Sequence, residues 1–204
     1  MVKIQGLLEK LASYPQQEGV GNPYTEQYAL DNLRHYFEYM FNQPGKRILL
    51  VGEAPGYKGC RITGIPFTSG RVFQDVPHPM LKALKAKISL PVISGENTAT
   101  IVWKYLAEQK TTPLFWNAFP FHPHHIGNPE SNRPPTDIEV KYGSEVLDDI
   151  VRIYKPDLVA GIGHKGIKAL RMGSPHSEFT YVRHPSNGGK PDFITGMNNL
   201  LGGS

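Results

Sequence analysis

Residues 47–71 read RILLVGEAPGYKGCRITGIPFTSGR, and the fold turns on how they are understood. Ile48, Leu49, Leu50 and Val51 form a short, unbroken apolar run. That is the pattern of a central strand buried on both faces rather than of a half-exposed one. The run passes straight into Gly52, Glu53, Ala54, Pro55 and Gly56, a turn sequence with a single carboxylate. Strands of this kind belong to parallel sheets covered by helices, and such sheets bind ligands beyond the carboxyl ends of their strands. GEAPG is therefore either a tight turn whose glutamate bonds its own backbone amides, or part of a site.

Working outward, Leu30, Leu33, Phe37, Met40 and Phe41 have helical spacing and predict an amphipathic helix over about residues 24–41. The N-terminal MVKIQGLLEKLASYPQ has an amphipathic pattern too. LFWNAF (114–119), DLVAGI (157–162) and FTYV (179–182) are the further strand candidates. Thr136 and Glu139 have capping-box spacing and should open a helix that turns Leu147, Ile150, Val151 and Tyr154 inward. GHKGIKALRMG reads as a helix closed by Gly173. Strands separated by helical patterns imply an α/β chain, a three-layer α/β/α sandwich with a short, mostly parallel sheet. Residues 1–204 are expected to form one domain, with a helical segment over about residues 1–45 packed on it. GEAPG, NAFPFHPHH, GIGHKG and RHPSNGG each follow a strand, so four loops should meet on one rim.

Composition narrows the classes. With 39% hydrophobic and 20% charged residues, the chain is that of an ordinary globular protein. No apolar run approaches the roughly 20 residues of a membrane span, and the N-terminus lacks a signal-peptide core, so no membrane association and a cytoplasmic location are expected. Cys60 is the only cysteine, which excludes an internal disulfide, a cysteine-held iron–sulfur cage and a Cys-rich zinc site. The net charge of +4 suits a polyanionic partner but is shared by many unrelated proteins.

GEAPG, GIPFTS, NAFP followed by NRPPT, KPDLVAGIGHKGIKAL and HPS occur in that order. The chain resembles the uracil-DNA glycosylase superfamily, most closely its family 4 members, over about residues 48–186. Each motif alone is weak; the ordered set is specific. Cutting an N-glycosidic bond to uracil requires the base to be flipped into a pocket. The bond then breaks toward an oxocarbenium-like sugar and a uracil anion, so preorganised donors at the developing charge matter most. The resemblance implies that His184 stabilises the departing uracil at O2 and that Glu53 is the catalytic carboxylate. It also gives Asn117 the reading of uracil, its amide donating to O4 and accepting from N3–H. Phe67 should stack on the flipped base. Gly52 and Ala54 complete the base-binding set, and Ser69, Lys165 and Ser186 are the candidate contacts to DNA phosphate. Against these stand plain structural roles: a solvated loop histidine, a glutamate bonding its own turn, a core phenylalanine and a turn-capping asparagine.

The chain also departs from the family pattern. Family 4 members hold an iron–sulfur cluster with four cysteines; Phe121 stands at one of those positions, and no cluster is expected. Other branches carry a bulky tyrosine near Gly56 that rejects the 5-methyl of thymine. Glycine there leaves 5-substituted uracils admissible, with Tyr57 as a possible substitute. Gly161, Gly163 and Gly166 fit the dinucleotide fingerprint, but on the third strand and with Glu178 and Asp192 off the expected spacing for a ribose carboxylate. That turn offers instead a helix N-terminus for a phosphate, near Lys165, Lys168 or Arg171. His122, His124 and His125 suggest a metal, yet Pro123 breaks their spacing, and a phosphate or pocket-mouth role for His122 is expected. HPSNGGK should approach the minor groove, although Asn187 and Gly188 supply no apolar wedge. These readings predict a monofunctional DNA glycosylase without cofactor or metal, acting on uracil-containing DNA as a monomer. The rivals are a non-catalytic nucleic-acid binder of the same fold and a nucleotide-cofactor enzyme.

Overall fold

The computed structural model describes residues 2–173 and 178–202. In chain order the elements are α1 (Val2–Ala12), β1 (Val20–Gly21), a 3-10 turn (Pro23–Thr25), α2 (Gln27–Phe41) and β2 (Ile48–Gly52). Next come α3 (Cys60–Thr63), α4 (Gly70–Asp75), α5 (Pro79–Lys85), α6 (Asn97–Leu106), β3 (Leu114–Asn117) and β4 (His122–Pro123). The chain ends with α7 (Asp137–Tyr154), β5 (Leu158–Ile162), α8 (Gly163–Gly173), β6 (Thr180–Val182) and α9 (Lys190–Gly202).

The main sheet is parallel, in the order β3-β2-β5-β6. From β2 the chain runs out to β3 at one edge, then returns past β2 to lay down β5 and β6 on its other side. Connections leaving in opposite directions open a crevice at the carboxyl end of β2, which is where such sheets bind ligands. In register, Gly52 pairs with Asn117 and Val51 with Gly161, so the ends of three strands are level.

Side chains alternate along a strand, so Phe115 and Trp116 point to opposite faces of the sheet. Phe115 meets Trp103 of α6, and α6 holds α9 through Tyr105, whose ring meets Phe193 and whose hydroxyl donates to Asn198 Oδ1. Trp116 meets Phe37 of α2 on the other face. There α2 packs with α1, α1 with α7, and α7 with α8, which crosses β2 and β5. This is the three-layer α/β/α sandwich. The outer edge of β3 is covered rather than left open for pairing: Tyr36 Oη accepts the Phe115 N–H at 2.7 Å.

The glycines of GIGHKG serve packing. A Cβ on Gly166 would lie 2.0 Å from Val51 O, and one on Gly161 2.6 Å from Ile167 N, so α8 rests directly on the sheet. Gly163 takes φ +73°, turning β5 into α8. The fingerprint spacing thus has a complete explanation in helix–sheet contact.

The capping box at Thr136 and Glu139 forms as its spacing predicts. Arg133 reinforces it with a two-pronged pair to Glu139 at 2.8 and 2.7 Å, and also donates to Gly19 O and His124 O. This ties the antiparallel β1–β4 ribbon to the start of α7. The helix expected over residues 24–41 is divided. Asn22 Oδ1 accepts the Tyr24 N–H, Pro23 fits the turn that follows, and Glu26 is extended, so α2 begins only at Gln27. The strand expected over 114–119 stops at Asn117, where the chain folds back and the Phe119 N–H bonds Glu53 O. No described helix is long and apolar enough to cross a membrane.

Gly166→Ala would drive a methyl into a backbone oxygen that cannot rotate away, and should lower stability by about 1–3 kcal/mol or more. Gly6→Ala, whose added methyl meets nothing within 4 Å, should hold or raise stability. Chemical denaturation midpoints check both; an unchanged midpoint for Gly166→Ala would contradict the packing described.

Candidate active site

Beyond the carboxyl ends of β2 and β3 lies a cavity of about 450 Å³, walled in part by Glu53, Phe67, Glu96, Asn117, Asn132 and His184. That volume lies in the range of small-ligand pockets.

Its floor is set by a close approach. The Phe67 ring lies on Gly52: a Cβ there would be 2.2 Å from Phe67 Cζ and 3.5 Å from Asn117 Oδ1. Only glycine leaves room for the ring. Phe67 itself holds φ +57°, a left-handed conformation rare for an aromatic residue and worth roughly 1–3 kcal/mol of strain. Several contacts hold it there. Trp103 Nε1 donates to Phe67 O at 2.7 Å, while Thr63, Ile65 and Thr68 knit the turn through hydroxyl bonds, with 2.8 Å between the two threonine oxygens. The ring packs on Phe115 at 5.0 Å between centroids and also faces the cavity, so it serves at once as core and as floor.

Asn117 ends β3 at 3% exposure, and among the described residues its side-chain amide has no hydrogen-bond partner; it caps no turn. Its donor and its acceptor are both left to the cavity. Glu53 behaves likewise: its backbone oxygen accepts from Phe119, but none of the described residues bonds its carboxylate. Burial pushes that carboxyl above its ordinary 4.5, and the charge of Lys165 acts in the opposite direction.

His184 is oriented by its own loop. The Ser186 backbone N–H donates to Nδ1 at 3.2 Å, and Ser186 Oγ lies 2.7 Å from the same nitrogen. A backbone N–H can only donate, so Nδ1 is an acceptor, and the neutral ring carries its proton on Nε2. No described residue takes up Nε2, which leaves an N–H donor for the cavity that His184 lines. Burial holds His184 below the ordinary 6.5; Glu96 offsets this in part and Arg183 adds to it. The ring is therefore neutral at pH 7.

The proposed phosphate contacts fare differently. Ser69 is 0% exposed with its Oγ unpartnered among the described residues, so no phosphate reaches its side chain. The Ser186 hydroxyl is engaged with His184 rather than free. Lys165 donates to Pro135 O at 3.0 Å and acts on Glu53 from there. Ala54 lines the cavity, whereas Gly52 lies behind Phe67 and contributes by having no side chain. His122 is not at a pocket mouth: it is fully buried, with Nδ1 2.8 Å from Pro55 O and Nε2 3.2 Å from Pro129 O. Tyr57 does not border the cavity; its N–H bonds Asn132 Oδ1 and its ring faces Lys58.

Other wall residues were given no site role by the sequence. Glu96 caps α6, accepting from the Thr98 and Ala99 amides at 2.9 and 2.6 Å, and stands against Gly59. Glutamate is not a favoured cap, so nothing local marks it. Asn132 and Arg133 belong to the NRPPT motif, whose presence was their only signal. Cys60 adds a neutral thiol, pushed up to about 12 by burial.

Long-range ¹⁵N–¹H NMR should find His184 as the Nε2–H tautomer at pH 7, titrating below 6.5. An Nδ1–H tautomer, or an unshifted midpoint, would contradict this geometry.

A search of curated proteins gives no match. Among solved structures, that of wild-type SMUG2 from Pedobacter heparinus superposes with a TM-score of 0.66 at 12% identity, covering 99% of each chain, a likeness of fold. The family model of the Uracil DNA glycosylase superfamily matches residues 39–195. That span takes in the four strands of the main sheet, the cavity and every ordered motif from GEAPG to HPS, and the chain belongs to the uracil DNA glycosylase superfamily.

Proposed function

We propose that the protein is a monofunctional DNA glycosylase that removes uracil, and uracils substituted at the 5-position, from DNA. The observation that carries this reading is that four unlike side chains with free chemistry, Glu53, Phe67, Asn117 and His184, line one cavity.

The extruded base stacks on Phe67, an aromatic contact of roughly 1–3 kcal/mol that any base can make. Asn117 supplies identity: its N–H₂ donates to O4 and its carbonyl accepts from N3–H. Cytosine presents the reverse pattern and would leave buried polar groups unpaired. As the C1′–N1 bond lengthens, electrons move into the ring and negative charge gathers on O2, where the His184 Nε2–H donates. A neutral imidazole meets this need without transferring its proton. The Glu53 carboxylate, unpaired among the described residues, faces the sugar as it turns cationic and holds the water that adds to C1′. That water gives its hydroxyl to the sugar and its proton ends on the base, so the products are free uracil and an abasic site. Gly56 leaves space in the wall where other branches carry tyrosine, and Tyr57 is turned away, which supports admission of 5-substituted uracils.

The deciding assay incubates the protein with oligonucleotides carrying uracil opposite G, opposite A or unpaired, followed by alkaline cleavage. Strand breaks are expected, and their absence on every substrate would favour a non-catalytic binder. Glu53→Gln and His184→Ala should each slow single-turnover cleavage by about 10²–10³-fold with DNA affinity nearly unchanged. Equal losses in rate and binding would mean structural roles.

Because Glu53 acts ionised and burial raises its pKa, activity should fall with decreasing pH from above 4.5, and this limb should vanish in Glu53→Gln. Asn117→Ala should erode discrimination against cytosine, and Gly56→Tyr should abolish cleavage of 5-hydroxymethyluracil while sparing uracil. Unchanged preferences would remove both residues from recognition.

A further inference from the structure

We propose that the apolar tip formed by Val92 and Ile93 is the wedge that enters the base stack of duplex DNA and holds it open while the target base occupies the cavity. This rests on the glycosylase reading and concerns how duplex, as opposed to single-stranded, DNA is opened.

A glycosylase acting on a duplex must offset the loss of stacking when a base leaves, and proteins that unstack DNA frequently do so by inserting apolar side chains between base steps. The loop after the catalytic histidine has none: Asn187 and Gly188 are exposed, left-handed at φ 50° and 75°, and carry no apolar side chain. Val92 and Ile93, by contrast, are 53% and 41% exposed on adjacent positions, next to Pro91, whose ring restricts the backbone.

The base of this loop is fixed to the cavity wall. The Arg71 N–H donates to Ser94 O at 3.0 Å, and Ser94 Oγ donates to Lys58 O. A Cβ on Gly70 would lie 2.8 Å from both Ile93 Cα and Val92 O, so the loop backbone rests on the first residue of α4. Ser94 is thus joined to the residue before Gly59, and Glu96, two residues further on, is itself part of the wall. A tip so held cannot retract when pressed against a base stack.

The charges around it suit a strand on either side. Lys58 and Arg71 are exposed where the loop is anchored, the Arg71 chain lying along Gly95, and neither joins an ion pair among the described residues. They are free to meet the phosphates that flank an opened step. Ile126, 69% exposed on another loop, lacks this setting: Arg133, the arginine anchored to that loop, is committed to Glu139.

The test compares the full chain with its Val92→Ser/Ile93→Ser variant on one uracil oligonucleotide, single-stranded and paired opposite A, with 2-aminopurine beside the uracil. Ile126→Ser and Met172→Ser are assayed alongside. In the Val92→Ser/Ile93→Ser variant the duplex rate should fall by about tenfold or more, with the single-strand rate within about twofold. Its 2-aminopurine fluorescence on duplex binding should fail to rise as it does with the wild type. Equal rates on both forms, equal losses on both forms, or a selective duplex defect in Ile126→Ser instead would overturn the proposal. Should the wild type cleave neither form, the glycosylase reading fails, and the fluorescence alone then decides whether this tip unstacks DNA.

Discussion

The site depends on a single close approach, the Phe67 ring laid on Gly52 at the end of β2. Any side chain at residue 52 would occupy the ring's own space, and any displacement of the ring would fill or empty the floor of the cavity. Two long-range constraints keep it there. From one side, Trp103 grips the Phe67 carbonyl and the threonine turn holds a backbone conformation that an aromatic residue resists. From the other, parallel pairing sets Gly52 level with Asn117, so that the floor and the Asn117 amide arrive together. Backbone strain of this kind persists only where the surroundings over-determine it, and it concentrates at functional sites.

Around this floor, burial acts on two ionisable groups in opposite senses. It raises Glu53 and lowers His184, and among the described residues neither has a partner on its cavity-facing atoms. A fold seeking stability alone would pair such groups or expose them. Lys165 opposes the effect on Glu53, which favours the anion, while Ser186 selects the imidazole tautomer that keeps a proton on Nε2. One wall thus offers a carboxylate and the other an uncharged N–H donor. Under the proposed function this is the polarity that suits a bond separating into a sugar cation and a base anion.

Much of this was legible in the chain itself. An unbroken apolar run into GEAPG gives the central strand, the capping box gives the longest helix, and the ordered motifs give the family. What escaped did so for physical reasons. The helices between residues 60 and 106 include three of four to seven residues, too short for periodicity to register. Ser69 looked available beside Phe67, but it lies where α4 begins beneath the loop that carries Ile93, and such burial is a tertiary fact. Ser186 looked like a phosphate ligand because sequence shows a hydroxyl and not the imidazole nitrogen it engages. His122 drew attention as one of three clustered histidines, yet it is buried, with its two ring nitrogens facing the carbonyl oxygens of Pro55 and Pro129. Glu96 was invisible because it reaches the cavity from an element that no motif marked.

The central claim is that this cavity holds one pyrimidine base in one orientation. A crystal structure of the protein with free uracil tests it most directly. The account predicts the ring stacked on Phe67, its O4 and N3–H paired with the Asn117 amide and its O2 facing His184 Nε2. Uracil bound elsewhere, or turned so that Asn117 meets neither atom, would contradict it.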